Sequence, residues 1–453
     1  MTIHFKTLKE WLDWQEGFHP QVIDLGLERV ASVFKALIPE GVGKPVITVA
    51  GTNGKGSCIA LLEAIYQAQG YRVGAYTSPH ILKYNERIRI DMQPVSDQQI
   101  VEAFARIETC RQGVSLSYFE FSTLAALDIF CRTALDVVLL EVGLGGRLDA
   151  VNIVDPDIAL VSSIDIDHAE WLGNNREAIG AEKAGIFRLG KPAVVGDPQP
   201  PHSLKAVADA KGALWFAIGE DFSIQHNPQT WDWQMGSLSY KDLCLPALKG
   251  AHQFNNAATV IAAISQLQTQ LPVTQAAINA GLAGVKLKGR FQLIPGRIPV
   301  LLDVGHNPQA VRTLYDYVTA TFSPKRIHAV FAIMKDKDIQ GVINIMAPLI
   351  YDWTLAPLNN PRAASSSQLM DIFAHCQVER VAGYFESFPA AISHAEEQAT
   401  EEDLILVFGS FFLVSAYLSE VDGQSTSSLD IMKVEEQILR SVQDTNTAEM
   451  PCQ

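Results

Sequence analysis

Short apolar runs alternate along this chain with longer segments whose apolar residues recur at helical spacing. Residues 45–49 are apolar and rich in β-branched side chains, which predicts a buried strand, and residues 72–76 predict the next one. Between them, Ile59, Leu62 and Tyr66 lie on one face of a predicted helix. A strand, a helix and a second strand in so short a span predict a βαβ unit.

The same alternation continues toward the middle of the chain. Helical spacing predicts helices over residues 96–111 and 121–135, and continuous apolar runs predict strands at 136–142 and 158–161. Strands that are apolar on both faces are typical of a parallel sheet covered on both sides by helices. Residues 197–249 contain prolines and a polar stretch, and the pattern there indicates a less regular segment.

A second α/β series follows and predicts a second domain. Its strands are predicted at residues 300–303, 328–333, 351–355 and 404–408, with a helix at 308–320. We place the boundary near residues 285–290, where glycine and lysine cluster. The predicted organisation is a first domain at 1–287, a second at 288–422, and a polar tail at 423–453 with a lone helix at 429–442.

Composition and charge exclude several classes of protein. Of the 453 residues 48% are apolar and 19% charged, so the chain can form large cores and is not of the disordered class. It has 35 basic and 50 acidic side chains, a formal net charge of -15 and no basic run, so no nucleic-acid partner is expected. The six cysteines lack metal-site spacing, and neither a signal pattern nor a membrane-length apolar run occurs, which predicts a cytoplasmic protein without a membrane partner.

The loop at residues 51–57, Gly-Thr-Asn-Gly-Lys-Gly-Ser, is the strongest local signal for chemistry. It follows a predicted strand and precedes a predicted helix, where backbone N–H groups can surround a phosphate. Lys55 is placed to reach the outer phosphates, and Ser57 can bind a magnesium ion that they share. Because Gly56 separates the two, the generic motif is not matched strictly. The alternative is a glycine-rich turn without a ligand.

Other polar side chains follow predicted strands of the same sheet. They are the hydroxyl of Ser78, the carboxylate of Glu141, the imidazole of His168 and, in the next segment, the amine of Lys183. Each also has a structural explanation: a turn, a carboxylate paired with Arg147, a core histidine or a solvated lysine. Because the carboxyl ends of parallel strands meet at one edge, the phosphate loop, the hydroxyl, the carboxylate and the imidazole together predict a nucleotide–magnesium site.

These motifs resemble those of a known family. Residues 51–57 closely resemble the ATP loop of Mur-type ATP-dependent amide ligases, whose form of the motif contains the extra glycine. Residues 77–80, 141–149 and 182–186 resemble the folylpolyglutamate synthase branch, and residues 24–30 and 118–121 resemble its bacterial form that is also a dihydrofolate synthase. The resemblance covers about residues 5–420. It implies a Mur-ligase-like α/β fold, with a P-loop parallel-sheet domain that binds ATP and pterin and a smaller Rossmann-like glutamate-ligase domain.

The resemblance also implies roles for individual residues. ATP binding is implied for Gly54, Lys55, Gly56, Ser57, Asn256, Arg290 and Asp303. Metal binding is implied for Ser57, Ser78, Glu141, His168 and a carbamylated Lys183, and catalysis for Lys55, Lys183 and His168. Contact with the pterin is implied for Asp24, Leu25, Gly26, Leu27, Phe119, Glu120, Phe121, Ser122, Leu148, Asp149 and Ala150. Contact with the amino acid is implied for His306 and Ser410.

The reaction implied by the resemblance converts a carboxylate into an acyl phosphate at the expense of ATP and then couples it to glutamate. The implied cofactors are ATP, Mg²⁺ at two sites and K⁺. The implied partners are dihydropteroate, reduced folates and L-glutamate, bound by a monomer. Two other functions stay open: a Mur-type ligase for a cell-wall precursor, which would accept a nucleotide-linked sugar, and a nucleotide-gated binding module, whose ATP turnover would not depend on glutamate.

Overall fold

The computed structural model describes residues 5–18, 25–323 and 325–424. They form two compact units: the described residues up to Leu248 together with His252–Lys286, and Lys249–Ala251 together with the described residues from Leu287 onward. The predicted tail helix at 429–442 lies outside the described residues. None of the described helices is long and apolar enough to cross a membrane.

The first unit is an α/β structure built on a large sheet. Its helices are α1 (Leu8–Phe18), α2 (Glu28–Leu37), α3 (Lys55–Gln69), α4 (Asp97–Arg111), α5 (Tyr118–Cys131), α6 (Ala169–Leu172), α7 (Arg176–Lys183), α8 (His202–Lys211), α9 (His252–Gln266) and α10 (Gln275–Gly284). Its strands are β1 (Val46–Ala50), β2 (Val73–Tyr76), β3 (Ile88–Ile90), β4 (Gln93–Pro94), β5 (Val137–Glu141), β6 (Ile158–Val161), β7 (Pro192–Val195), β8 (Leu214–Ala217), β9 (Phe222–His226), β10 (Trp231–Met235) and β11 (Leu238–Leu243).

The large sheet has the strand order β4-β3-β2-β5-β1-β6-β7-β8 within the described residues. Strands β2, β5, β1, β6, β7 and β8 are parallel, and β3 and β4 form an antiparallel edge. Every residue of β1, β5 and β6 is buried, which explains their uninterrupted apolar sequence. The carboxyl ends of β2, β5, β1 and β6 therefore open side by side at one edge.

Helix capping sets where the predicted helices begin and end. The helix expected from residue 121 begins at Tyr118, because Ser117 and Glu120 form a capping box. Ser96 and Gln99 form the same motif at the start of α4. Gly70, with φ of 97°, ends α3. The Ser-x-x-Glu signal was readable in the sequence.

The segment at 197–249 is more regular than the sequence pattern indicates. It contains α8, then β8 at the edge of the large sheet, and then an antiparallel sheet of order β11-β10-β9. Trp231 and Trp233 alternate with polar residues and are completely buried. Their indole N–H groups donate to the carbonyls of Cys244 at 2.9 Å and Ala258 at 3.1 Å. The interpretation as an irregular segment was therefore wrong, since alternating tryptophans are a strand signal.

The second unit has its own, smaller α/β core. Its strands are β12 (Gln292–Ile294), β13 (Val300–Asp303), β14 (Ile327–Phe331), β15 (Asp352–Leu355), β16 (Val381–Ala382) and β17 (Leu404–Phe408). Its helices are α11 (Pro308–Phe322), α12 (Ile339–Met346), α13 (Ser366–His375), α14 (Phe388–Gln398) and α15 (Phe411–Gln424). The strand order is β12-β13-β17-β14-β15-β16, with β12 antiparallel and the other strands parallel.

Candidate active site

The loop between β1 and α3 has a backbone that requires glycine. Gly54, the residue before α3, has φ of 88°, in the left-handed region where side chains with a Cβ are rare. A Cβ on Gly54 would lie 2.7 Å from Oδ1 of Asn256, and one on Gly51 would lie 2.0 Å from Oγ of Ser162. The first N–H groups of α3, which have no partner within the helix, are thereby left accessible to an anion.

Gly54→Ala is expected to weaken ATP binding, because the new Cβ must displace Asn256 and distort the loop. The left-handed backbone alone should reduce the free energy of unfolding by about 1–2 kcal/mol. Gly70→Ala is the matched control: φ is 97° at the other end of the same helix, and a Cβ there would contact nothing within 4 Å. We expect similar losses of stability in thermal unfolding, but an increase of roughly tenfold or more in KM for ATP only for Gly54→Ala. Equal KM values in the two variants would contradict this role of the loop.

The segment that follows β6 holds the loop in place. Thr52 donates its N–H to the carbonyl of Ser163 at 2.7 Å, and its Oγ1 donates to the carbonyl of Asp165 at 2.9 Å. Ser162 Oγ donates to the carbonyl of Asn53 at 2.6 Å. The loop after β1 and the loop after β6 therefore form one connected surface.

Two lysines meet at one carbonyl oxygen of this loop. Lys55 Nζ donates to the carbonyl of Gly51 at 2.9 Å and to that of Thr52 at 3.2 Å, and Lys183 Nζ donates to the same Gly51 oxygen at 2.9 Å. Lys183 is 5% exposed. Burial, followed by the positive charge of Lys55, lowers the pKa of Lys183 to about 7 against the opposing effect of two nearby carboxylates. A large share of Lys183 is therefore a neutral amine near pH 7.

Glu141 ends β5 beside the phosphate loop. It is the neighbour of Val49 in the parallel pairing of β1 with β5, and its Oε2 accepts the N–H of Ser78 at 3.2 Å. A Cβ on Gly56 would lie 3.9 Å from Oε1 of Glu141. The structure thus brings the buried carboxylate, the segment of Ser78 and the first turn of α3 together.

His168 follows β6 at the start of α6. It has φ of 53°, a left-handed conformation that is uncommon outside glycine, and its N–H donates to Oδ1 of Asp167 at 2.8 Å. Asp167 is also one of the carboxylates that act on Lys183. Asp167 was not predicted as a site residue, although it stands directly before the predicted histidine.

The predicted metal ligands are an incomplete coordination set. No group of three or more His, Cys, Asp or Glu side chains that could hold a metal occurs in the part of the chain that the structure describes. Of the predicted ligands only Glu141 and His168 are of these types, beside the hydroxyls of Ser57 and Ser78 and the amine of Lys183. A divalent ion at this edge would therefore need phosphate oxygens and a chemically modified lysine to complete its shell.

A chain of buried side chains connects α3 with α9. Gln253 Nε2 donates to Ser57 Oγ at 3.3 Å, and Asn256 Nδ2 donates to Gln253 Oε1 at 3.0 Å. Asn256 is the residue that a Cβ on Gly54 would strike. Gln253 was missed as a site residue, although its spacing of three from Asn256 places both on one helical face.

Asp149 supports a loop. Its carboxylate accepts the N–H groups of Leu144 at 2.7 Å and Val151 at 3.0 Å, and it is 2% exposed. Burial raises its pKa to about 6, although these hydrogen bonds lower it. The carboxylate of Asp149 therefore holds the loop between β5 and the following turn, and the substrate contact expected at Asp149 stays a prediction. Ala150 is 5% exposed, and Leu148 is half-buried.

Of the four residues of α5 expected to border the pterin, only Phe119 has a partly exposed side chain. Its ring lies against Gly143, where a Cβ would come within 2.5 Å of it. The carboxylate of Glu120 accepts the N–H of the residue that caps the helix, at 2.7 Å. Phe121 and Ser122 are completely buried. The side chains of these two residues therefore belong to the core and do not reach the surface.

The segment before α2 carries the remaining pterin contacts expected from the resemblance. Asp24 lies outside the described residues. Leu25, Gly26 and Leu27 are half-buried and lead directly into the helix.

In the second unit, Asp303 ends β13, which pairs with β17. Its Oδ1 accepts the N–H of Gly305 at 2.7 Å, and its Oδ2 accepts the N–H of Phe291 at 3.2 Å. Burial raises the pKa of Asp303, and the positive charge of Arg290 opposes that increase. Asp303 thus fixes the turn that carries Arg290.

Two predicted residues of the second unit, Arg290 and His306, lie near the ring of Phe411. Phe411 itself was not predicted as a site residue. The guanidinium carbon of Arg290 is 5.1 Å from the centroid of the Phe411 ring, and the His306 ring is 6.1 Å from it. Ser410 is 3% exposed, and its Oγ accepts the N–H of Leu413 at 3.0 Å, which caps α15. The available signal for Phe411 was its position directly after β17, at the edge where β13 also ends.

Two family models match this chain. That of the Mur ligase middle domain matches residues 49–264, and that of the Mur ligase glutamate ligase domain matches residues 289–411. The chain is 42% identical over 420 residues to the dihydrofolate synthase/folylpolyglutamate synthase of Escherichia coli (strain K12), which covers 92% of this chain and 96% of the relative.

Solved structures resemble this chain over nearly its whole length. The structure of E. coli FolC in complex with DHPP and ADP has a TM-score of 0.88 and 41% identity, covering 93% of this chain and 99% of that one. A bifunctional folylpolyglutamate synthase/dihydrofolate synthase with Mn, AMPPNP and L-glutamate bound has a TM-score of 0.86 and 40% identity, covering 93% and 100%.

Proposed function

This chain belongs to the dihydrofolate synthase/folylpolyglutamate synthase family of the Mur ligases, and from that premise we propose which of its residues bind and activate the substrates. It is an ATP-dependent amide ligase that adds L-glutamate to dihydropteroate, giving dihydrofolate, and to reduced folates, giving polyglutamates. The observation that carries the assignment of residues is the convergence of Lys55, Lys183 and Glu141 on one glycine loop at the carboxyl edge of a parallel sheet.

The reaction has two steps in our proposal. A carboxylate oxygen of the acceptor forms a bond to the γ-phosphorus of ATP, the bond from that phosphorus to the bridging oxygen breaks, and ADP leaves. The nitrogen of glutamate then forms a bond to the acyl carbon, phosphate leaves, and the nitrogen loses a proton. The first step is needed because a carboxylate oxygen is a poor leaving group.

The glycine loop and Lys55 bind the phosphates of ATP in this proposal. Gly54, Gly56 and Ser57 present the N-terminal end of α3, whose N–H groups and dipole favour an anion. The ammonium of Lys55 stabilises the negative charge that moves onto the leaving bridging oxygen. Asn256, held against the loop through Gln253 and Ser57, is proposed as a further nucleotide contact.

Divalent cations are the cofactors that the site residues fit. A buried carboxylate and two hydroxyls are oxygen ligands of the kind that Mg²⁺ prefers, and the imidazole is a less usual ligand for it. We propose Ser57 and Ser78 for one ion and Glu141, His168 and Lys183 for a second, with K⁺ as a further predicted cofactor. When bound, the ions neutralise charge on the phosphoryl oxygens.

Lys183 is proposed to be carbamylated. Its neutral amine nitrogen forms a bond to the carbon of CO₂ and loses one proton, which turns a repelling cation into a carboxylate-like ligand. The pKa of about 7 makes the neutral amine available near neutral pH, and the position next to Lys55 gives the new negative charge a partner. We propose that His168 acts in catalysis through the same metal site.

Substrate contacts on the first unit are proposed from exposure, and those on the second unit from the family motifs in which the residues lie. On the first unit, Phe119, Leu148 and residues 25–27 have partly exposed side chains or backbone and are proposed for the pterin. On the second unit, Arg290 and Asp303 are proposed for the nucleotide, and His306 and Ser410 for glutamate. A monomer in the cytoplasm stays a prediction.

The function is tested by one assay of ADP release from the purified chain. Dihydropteroate and tetrahydrofolate are offered separately, each with and without L-glutamate. We expect ADP release that needs both an acceptor and glutamate, with both acceptors active. Release that is independent of glutamate would indicate a nucleotide-gated module instead, and activity only with a nucleotide-linked sugar acid would indicate a cell-wall ligase.

A further inference from the structure

Arg87 is a buried arginine next to two aromatic rings. It is 8% exposed, and its guanidinium carbon lies 5.5 Å from the ring centroids of both Tyr84 and Tyr118. Its Nε donates to Nδ1 of His80 at 2.8 Å. His80 accepts this hydrogen bond through Nδ1, so that ring nitrogen carries no proton. The rings and the imidazole fix the guanidinium in one orientation.

The side chains of Tyr84, Tyr118 and His80 supply no negative charge to Arg87. Among the described residues, no hydrogen bond or ion pair engages the two terminal Nη groups of Arg87, which leaves four N–H donors for another molecule. The adjacent Glu86 directs its carboxylate to main-chain N–H groups, those of Ile81 at 2.8 Å and Lys83 at 3.1 Å. Cation–π contacts offset only part of the cost of burying a cation without a counter-charge.

Arg89, two residues further along, shows what a structural arginine in this segment looks like. Its Nη2 binds the Glu63 carboxylate at 2.8 Å, and its Nη1 donates to Thr77 Oγ1 at 2.9 Å and to the carbonyl of Glu86 at 3.0 Å. The donors of Arg89 are thus used within the protein. The contrast makes a purely structural role a poor explanation for Arg87.

Arg87 also lies beside the proposed substrate surface. Its carbonyl accepts the N–H of Thr77, directly before Ser78, at 2.9 Å. Tyr118 begins α5 and immediately precedes Phe119, whose ring packs near Tyr76 with centroids 6.0 Å apart. Arg87 is thus connected through its main chain to the residue after β2, and its guanidinium lies at the ring of the residue that precedes Phe119.

We propose that Arg87 is a positioning residue that binds a carboxylate of the pteridine-linked acceptor. The guanidinium presents its Nη groups as a planar fork that matches the two oxygens of a carboxylate. The partly exposed rings of Tyr118 and Phe119 suit the aryl group to which such a carboxylate is attached. The inference rests on the proposed function for the identity of the acceptor. The carboxylate can be the aryl carboxylate of dihydropteroate or a glutamyl carboxylate of a reduced folate.

The test compares an acid with its amide. Dissociation constants of dihydropteroate and of its carboxamide are measured for the wild type, Arg87→Gln and Arg87→Lys, with magnesium and a non-hydrolysable ATP analogue and without L-glutamate. We expect the wild type to prefer the acid by roughly 10- to 100-fold. In Arg87→Gln the preference for the acid should fall to near unity. Arg87→Lys should keep part of it, because lysine keeps the positive charge but lacks the planar pair of Nη groups. An equal preference for the acid in all three proteins excludes the aryl carboxylate, and it overturns the proposal if Arg87→Gln also leaves KM for tetrahydrofolate unchanged.

Steady-state kinetics identify the carboxylate. We expect Arg87→Gln to raise KM for dihydropteroate, for tetrahydrofolate or for both, with KM for ATP and L-glutamate unchanged. A rise in KM for L-glutamate alone overturns the assignment to the acceptor. Lys83→Gln is the control, because it removes an exposed cation from the same segment, and we expect it to change none of these constants. Thermal unfolding establishes that each variant is folded. If Arg87→Gln is not folded, the same comparison is made with Arg87→Lys.

Failure of this inference is distinguishable from failure of the proposed function. The binding comparison needs no turnover, so the preference for acid over amide can be measured even in a protein that ligates neither acceptor. If the wild type ligates both acceptors while Arg87→Gln keeps the full preference and an unchanged KM for tetrahydrofolate, the function is intact and only the role of Arg87 is removed.

Discussion

Lys55→Ala is expected to reduce ADP formation by about 10³-fold or more, with dihydropteroate as with tetrahydrofolate. Lys55 begins α3, and its ammonium lies on the carbonyls of the phosphate loop, 2.9 Å from that of Gly51. A cation held there meets the outer phosphates, where negative charge moves during transfer. Lys55→Arg should not restore the rate, because a planar guanidinium does not fit a position shaped for a compact ammonium.

The measurement is glutamate-dependent ADP release at saturating ATP. Lys35→Ala is the control, because Lys35 is an exposed lysine on α2, and we expect wild-type rates from it. Thermal unfolding of Lys55→Ala should stay close to that of the wild type. Unchanged ADP release in a folded Lys55→Ala protein would refute the assignment of this loop to ATP.

Lys183→Met is expected to reduce ADP formation by a similar factor, through the loss of a metal ligand. Methionine keeps the apolar stem in its buried position but offers no amine to carbamylate, so the second metal position loses a ligand. The wild type should therefore depend on CO₂: activity should fall after bicarbonate is removed and return when it is added.

The pKa gives the direction of the pH effect. The pKa of Lys183 is lowered from 10.5 to about 7 by burial and by Lys55, so the amine is mostly neutral at pH 8 and mostly protonated at pH 6. Only the neutral amine reacts with CO₂, so at an equal concentration of dissolved CO₂ the recovery of activity should be several times faster at pH 8 than at pH 6.

Carbon NMR with labelled bicarbonate measures the carbamate directly. The signal should be present in the wild type and absent in Lys183→Met. Lys211→Met is the matched control: burial also lowers the pKa of Lys211, but its Nζ donates to the carbonyl of Gly185 at 2.7 Å, away from the phosphate loop. A carbamate signal that persists in Lys183→Met, or is missing from the wild type, would rule out the modification.

Several features of the site were readable in the sequence because they are local. Glycines at 51, 54 and 56 between an apolar run and a helical pattern predict a phosphate loop, and the structure has β1, the loop and α3 there. The apolar sequence of β5 and β6 predicts buried parallel strands, and their pairing with β1 brings their ends to one edge. Local patterns of this kind are set by backbone sterics and by burial, which act over a few residues.

Other roles depend on partners that are distant in sequence. The family resemblance implies a substrate contact at Asp149, and only the structure shows that its carboxylate also accepts two main-chain N–H groups. Phe121 and Ser122 lie in the same motif as Phe119 but face the core, since successive residues of a helix point in different directions.

By itself, then, the sequence determined the two α/β series, the phosphate loop and the order of the chemical groups along one sheet edge, because secondary structure and parallel pairing follow from short-range patterns. Only the tertiary structure decided that Lys183 and Lys55 share the carbonyl of Gly51, and that Arg89 is neutralised by Glu63 while Arg87 has no carboxylate partner among the described residues. The physical reason is that burial and charge pairing depend on which distant residues the fold brings within a few ångströms.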